Sequence, residues 1–222
     1  MLIYDILDGI REKPALFMGC KSITALKSFL DGAVYTSHIL GIDDGCNHFS
    51  PIPFRFFNDY IAQYYNYFES TSGWMNMILY KNNGEEKVSF DTFYTLLDNF
   101  RSITISKIQK CVLTQEQINY HTKYEYASKR LLHKGCNRIG PLFIDPKAIY
   151  LIELSNNSGY LCIVECDDTI FLHSSLLRSR QSAIKYFKSN FSGFYNWYLV
   201  ESIPHLFSHI DQFHLKESTS IF

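Results

Sequence analysis

Two hydrophobic periods divide this chain. From the N-terminus to about residue 105, apolar residues return every three or four positions, the period of a helix with one face inward. Leu2, Ile3, Ile6, Leu7 and Ile10 form one stripe that Pro14 ends, because its ring cannot continue a helix. Ser22 is placed to cap a second helix carrying Ile23, Leu26, Leu30, Ala33, Val34 and Ser37 as far as Gly41. A loop of turn formers, Gly41 to His48, separates it from a third helix with Phe54, Phe57, Ile61, Tyr64, Tyr65 and Phe68 along it. Gly73-Trp74 opens a short fourth helix through Met77 and Ile78, stopped at Asn82-Asn83-Gly84, and a fifth carries Phe90, Phe93, Leu97 and Phe100. Thr114-x-x-Gln117 fits a capping box, which predicts a charged linking helix over about 115–133, ended by Gly135 and Gly140-Pro141.

From about residue 147 the pattern belongs to strands. Ala148–Leu154 and Tyr160–Cys166 flank the turn formers Ser155–Gly159, and Asp167-Asp168 leads into a third strand, 169–173. A helix over 180–189 and a last element around Trp197–Val200 follow. The expected fold class is α+β: a five-helix bundle over 1–105, a helical linker over 106–145, and an α+β unit over 146–222 built on an antiparallel three-stranded meander with one covering helix.

Composition changes this picture in one respect. With 46% hydrophobic and 19% charged residues and a net charge of −1, the chain reads as an ordinary folded protein, and a nucleic-acid binder would be more basic. No apolar run is long enough to span a bilayer, and the first residues lack the basic start and cleavage site of a signal peptide, so a cytoplasmic protein is expected. Six scattered cysteines then read as free thiols. The unusual feature is aromatic content: 18 Phe, 16 Tyr and 2 Trp. Tyrosine and tryptophan dominate binding hot spots because they bury much area at little entropic cost.

Motifs for chemistry are sparse. There is no phosphate-binding loop, nucleophile elbow or dinucleotide-binding glycine pattern. His205 and His209 stand one helical turn apart, with His214 beyond, but Leu206 occupies the place of the zinc-protease glutamate, so no metal and no cofactor is expected. Cys162 and Cys166 fall on one face of a strand and read as buried small side chains. Lys129–Arg138 is a mild basic cluster that a solvated helix end explains. The acidic pairs Asp43-Asp44, Glu85-Glu86 and Asp167-Asp168 fall where turns and helix starts favour carboxylates; a basic partner would use the same groups to speed association. The aromatic run has Tyr60, Tyr64, Tyr67 and Phe68 on one helical side, with Tyr65 extending the Ile61 stripe. One side must be core. The other is a domain contact or a binding surface.

The block Lys13-Pro14-Ala15-Leu16-Phe17-Met18-Gly19, followed by Lys21-Ser22-Ile23, Leu26, Phe29-Leu30 and Gly32, resembles the opening of a family of small bacterial proteins. Ser72-Gly73-Trp74, Met77-Ile78-Leu79 and the helix after Gly84 resemble its continuation, so that the match covers about residues 5–102, with Phe17 where the family has tyrosine. The family is associated with immunity proteins of contact-dependent growth inhibition and related polymorphic-toxin systems. The resemblance implies a stoichiometric cytoplasmic inhibitor, not an enzyme. Its partner would be a cognate toxin C-terminal domain, a nuclease by expectation, with no direct contact to nucleic acid or membrane. Asp43, Asp44, Tyr60, Tyr64 and Tyr67 are the candidate contact residues. The motif also has a structural explanation, as a fixed helix crossing. Two readings of other classes stand beside it: a hydrolase or metal-dependent enzyme using the C-terminal histidines, and an intracellular scaffold or regulatory module that self-associates through its aromatics.

Overall fold

The computed structural model describes residues 3–39, 52, 54–67, 72–118, 146–166 and 171–201. The fold is α+β, with seven α-helices and a five-stranded antiparallel sheet among the described residues. The chain forms two compact units, Met1–Ile103 and Thr104–Phe222.

The first unit contains α1 (Ile3–Glu12), α2 (Pro14–Met18), α3 (Ile23–Ile39), α4 (Phe57–Tyr64, preceded by a 3-10 turn at Phe54–Phe56), α5 (Gly73–Lys81) and α6 (Glu86–Arg101). The sequence pattern predicts five helices; α2 is the sixth. Pro14 ends α1 as expected, but it also starts α2, since a proline at the first helical position gives up only an N–H that would be unbonded anyway. Gly19, at φ 73°, closes α2 with its N–H on Ala15 O. None of the residues of α2 is buried. Phe17 nevertheless does set a crossing: its ring meets Phe29 edge-on at 6.0 Å and passes Gly9, where an added Cβ would lie 3.5 Å from it.

The core of this unit is aromatic. Phe57 is fully buried, with Phe93 (5.3 Å), Phe100 (5.5 Å) and Trp74 (6.1 Å) edge-on around it and Phe54 stacked at 5.3 Å. Leu7, Ile10, Ile23, Leu26, Ile78 and Leu97 complete it. Helix α3 is capped from both sides: Ser22 Oγ accepts the Ala25 N–H, and Glu86, from α6, takes the Ser22 and Thr24 hydroxyls.

The second unit is the sheet with one helix on it. Strands β1 (Ile105–Val112), β2 (Pro146–Leu154), β3 (Tyr160–Cys166), β4 (Phe171–Leu177) and β5 (Tyr198–Leu199) lie in the order β4-β3-β2-β1-β5. The β2–β3 turn places Asn156, Asn157 and Gly159 at positive φ, as its composition suggests. Helix α7 (Arg180–Asn190), capped by Ser179 Oγ on the Ser182 N–H, packs Ala183 and Phe187 with Phe191 over Cys111, Ile149, Leu151, Cys162 and Val164. The other face of β2 and β3, with Ala148, Tyr150, Ile152, Leu161 and Ile163, is buried as well. That is why these strands read as unbroken apolar runs.

Two expectations need correction. Residues 105–112 are a strand and not the start of a helical linker. In β1 the fully covered residues are Ile108 and Cys111, three apart and on opposite faces, with a register irregularity between Ile105 and Lys107, so no period of two shows in the sequence. The Thr114–Gln117 capping box exists, but it closes a single 3-10 turn, Gln115–Gln117; Ile118 is already extended and buried. The rest of the expected helix, 119–133, lies outside the described residues.

Candidate functional site

Helix α4 carries the tyrosines singled out above. Its inner side is Phe57, Ile61 and Ala62; Tyr60 and Tyr64, three and seven positions after Phe57, follow along its flank. Tyr60 is half-buried against Phe57 (6.1 Å) and Phe100 (5.3 Å), and Tyr64 lies 6.2 Å beyond it with 55% of its surface exposed. The helix stops at Tyr64. Asn66 turns left-handed at φ 59°, donating to Gln63 O (3.1 Å), and the Tyr67 N–H reaches back to Ala62 O (2.8 Å). Tyr67 is therefore beside the helix end and not on its face, and Phe68 lies outside the described residues.

This turn builds something the sequence did not suggest. Tyr64 meets Tyr65 edge-on at 5.1 Å and Tyr65 meets Tyr67 at 6.5 Å, giving a continuous row of rings from Phe57 to Tyr67. Lys81, the last residue of α5, lies over both Tyr65 (5.6 Å) and Tyr67 (5.4 Å). Each such contact is worth about 0.5–1 kcal/mol at an exposed site, which favours this arrangement of the outer rings without burying them. Burial, and then the neighbouring Tyr64, pushes the Tyr60 and Tyr65 hydroxyls above their ordinary pKa, so those rings stay neutral. The only sequence signal for Lys81 is a cation in the last turn of a helix, which commonly means no more than dipole compensation.

Asp43 and Asp44, the acidic candidates, lie outside the described residues, as do Asp167-Asp168, Lys129–Arg138, His205, His209 and His214. The Glu85-Glu86 pair does sit at a helix start; Glu86 is engaged in capping α3. Among the described residues no three His, Cys, Asp or Glu side chains are grouped to hold a metal ion. Cys162 is buried and its thiol is pushed well up by desolvation, which suits packing and not reactivity.

One polar cluster was not foreseen. Lys110, Tyr150 and Glu165 stand on three adjacent strands: Lys110 Nζ is 3.0 Å from Glu165 and 4.8 Å from the Tyr150 ring, and the Tyr150 hydroxyl donates to Glu165 at 2.5 Å. Desolvation and the Glu165 bond raise Tyr150 to about 12. Desolvation pulls Lys110 down, but its bonds to Tyr150 and Glu165 outweigh this and leave it raised. Every charge here is answered within the cluster, so it acts as a cross-strand tie.

Comparison with protein-family models, curated proteins and solved structures gave no match. No helix among the described residues is long and apolar enough to cross a membrane.

Proposed function

We propose that this chain is an immunity-type protein that binds and neutralises a cognate bacterial toxin domain, and that the tyrosine row of the first unit is its contact face. The observation that carries the reading is Tyr64. It is a large amphipathic ring, more than half exposed, held between a buried aromatic core on one side and the lysine-stapled pair Tyr65 and Tyr67 on the other. A pre-positioned tyrosine loses little freedom when covered, which is what makes such residues hot spots.

Charge supports the same reading. Residues 1–103 hold eight Lys and Arg against twelve Asp and Glu, a net −4, in a chain of net −1. The near-neutral total thus conceals an acidic unit suited to a basic partner, as a nuclease domain would be. The action is stoichiometric occlusion of the toxin, without turnover and without a cofactor, in the cytoplasm. The test is co-purification of the chain with the C-terminal domain of the toxin encoded beside it, followed by titration against that domain's activity. Protection in a one-to-one ratio is expected. Lack of affinity for any such domain, together with turnover of a substrate by the chain alone, would sink the reading.

A further inference from the structure

The second unit carries a charge pattern that its fold does not use. From Thr169 to Val200 the chain holds four Lys and Arg (Arg178, Arg180, Lys185 and Lys188) and no Asp or Glu. The total of −1 conceals this. Residues 104–222 hold thirteen Lys and Arg against ten Asp and Glu, a net +3, while the first unit holds the −4. A near-neutral chain is therefore no guide to what this unit meets; the local distribution is.

Helix α7 turns its lysines outward. Ala183 and Phe187 are buried against the sheet, while Gln181, Lys185 and Lys188 fall within about 60° of one another on the opposite side and are all exposed. Arg180, the first residue of the helix, is exposed as well. In the first unit Arg11, Lys21, Lys27 and Arg101 each hold an aspartate. Among the described residues none of Arg180, Lys185 and Lys188 is in an ion pair. Helix energetics accounts for Lys188 alone, a cation in the last turn; Lys185 stands in mid-helix, and Arg180 stands in the first turn, where the dipole disfavours it.

A free aromatic ring follows on the same segment. Phe194 is 95% exposed, and the six residues from Lys188 place it at most roughly 20 Å away. Its loop is nevertheless held. Gln117 Nε2 donates to Phe194 O (2.8 Å), the Ser192 N–H to Gln117 O (3.2 Å) and the Tyr195 hydroxyl to Phe191 O (2.9 Å). Gly193 takes the left-handed φ of 87° that the bend requires. This anchoring serves a ring with almost no intramolecular contact.

We propose that this segment binds an unpaired nucleic-acid strand, with Lys185 and Lys188 on phosphates and the Phe194 ring against a base. The chemistry of the face selects that occupant. The exposed positions of α7 supply charge and hydrogen-bond donors, with Gln181, Ser182 and Ser189 beside the lysines, and no large apolar side chain. A protein interface core is depleted in lysine and serine, and a membrane-surface helix needs apolar residues on its free side; phosphate contacts need only what is present. Phe194 requires the strand to be unpaired, because a duplex keeps its base faces stacked while a single strand offers them to an aromatic ring. Phosphate contact and stacking are indifferent to the sugar, so RNA and DNA strands should bind alike. The proposal is independent of the toxin reading, which concerns the first unit.

Fluorescence anisotropy of the full chain with short labelled uridine and thymidine strands and a mixed-sequence duplex, across a salt series, tests this. Both strands should bind, and the duplex several-fold more weakly. Log affinity should fall with log salt, and the double variant Lys185→Gln, Lys188→Gln should flatten that slope by about 1.4, at roughly 0.7 for each lost phosphate contact. Phe194→Ala should weaken binding by about fivefold or more and leave the slope unchanged. The substituted side chains are exposed, so thermal midpoints should hold, and Lys87→Gln, at an exposed cation of the first unit, should have no effect. Absence of salt-dependent binding to the strands overturns the proposal. So does binding that either variant leaves unchanged, a duplex held as tightly as the strands, or a strand of one sugar held to the exclusion of the other. Variants that lose a toxin domain, in a chain with no affinity for either strand, would assign the face to a protein and also overturn it.

Discussion

Glu86 caps a helix to which it does not belong. Its carboxylate takes the Thr24 hydroxyl at 2.6 Å and the Thr24 N–H at 3.1 Å, so the N-terminus of α3 is closed by a residue 62 positions later in the chain. The two longest helices of the first unit are joined by this group. Its own helix, α6, begins there, so one anion sits near two N-terminal dipoles.

Replacing Glu86 with Gln or Ala should therefore destabilise the first unit by about 0.5–2 kcal/mol, the usual cost of a lost N-cap. Partial desolvation raises the Glu86 pKa, but hydrogen bonds from Thr24 and Ser22 outweigh it and leave it lowered. A depressed carboxylate contributes stability that is complete above its unfolded pKa and is lost as pH falls through the folded one. Denaturation midpoints measured from neutral to acid pH should converge for wild type and Glu86→Gln at the acid end. Parallel curves would refute this.

Ser89 is fully buried in α6 and its hydroxyl has no hydrogen-bond partner among the described residues. Alanine removes the unmet polar group and improves helix propensity, so Ser89→Ala should stabilise by about 0.5–1.5 kcal/mol. A loss of stability in urea unfolding would mean that the hydroxyl is satisfied in solution.

Tyr64 and Tyr60 should separate binding from folding. Tyr64→Ala is expected to weaken toxin binding by about 2 kcal/mol or more with a stability change within about 0.5 kcal/mol. Tyr60→Ala, which removes a ring packed on Phe57 and Phe100, should also lower stability by roughly 1–3 kcal/mol. Calorimetric titration and thermal melts on the same samples measure both quantities. Equal effects on both would place Tyr64 in the core.

Glu165→Ala removes the acceptor of the Tyr150 hydroxyl and the counter-charge of Lys110 together, on strands that form the centre of the sheet. A loss of about 1.5–3 kcal/mol is expected, as for a hydrogen bond to a charged group. Adding Lys110→Met and Tyr150→Phe should recover part of it, because the groups left without partners are then gone. If the triple variant is no more stable than Glu165→Ala alone, the three residues do not act as a unit.

What could be read from the chain alone was whatever is local. Pro14 and Ser22 marked helix boundaries, Asn82-Asn83-Gly84 marked a helix stop, and the apolar runs at 148–154 and 160–166 marked strands, because each depends on φ, ψ and burial within a few residues. Strand β1 could not be read: Ile108 and Cys111 imitate helical spacing, and only pairing with β2 sets them on opposite faces of a sheet, with α7 packed over the Cys111 face. The capping box at Thr114 was legible, but not that Gln117 would spend its amide on Phe194 O, far along the chain, and let Ile118 turn into the core. The same holds for the candidate face. The run of tyrosines was plain in the sequence, yet a left-handed Asn66 decided that Tyr67 stands beside Lys81 and not in line with Tyr64. Local sequence sets which elements form. Which residues are left exposed, and which charges find a partner, depends on contacts between distant elements, and those exist only once the chain has packed.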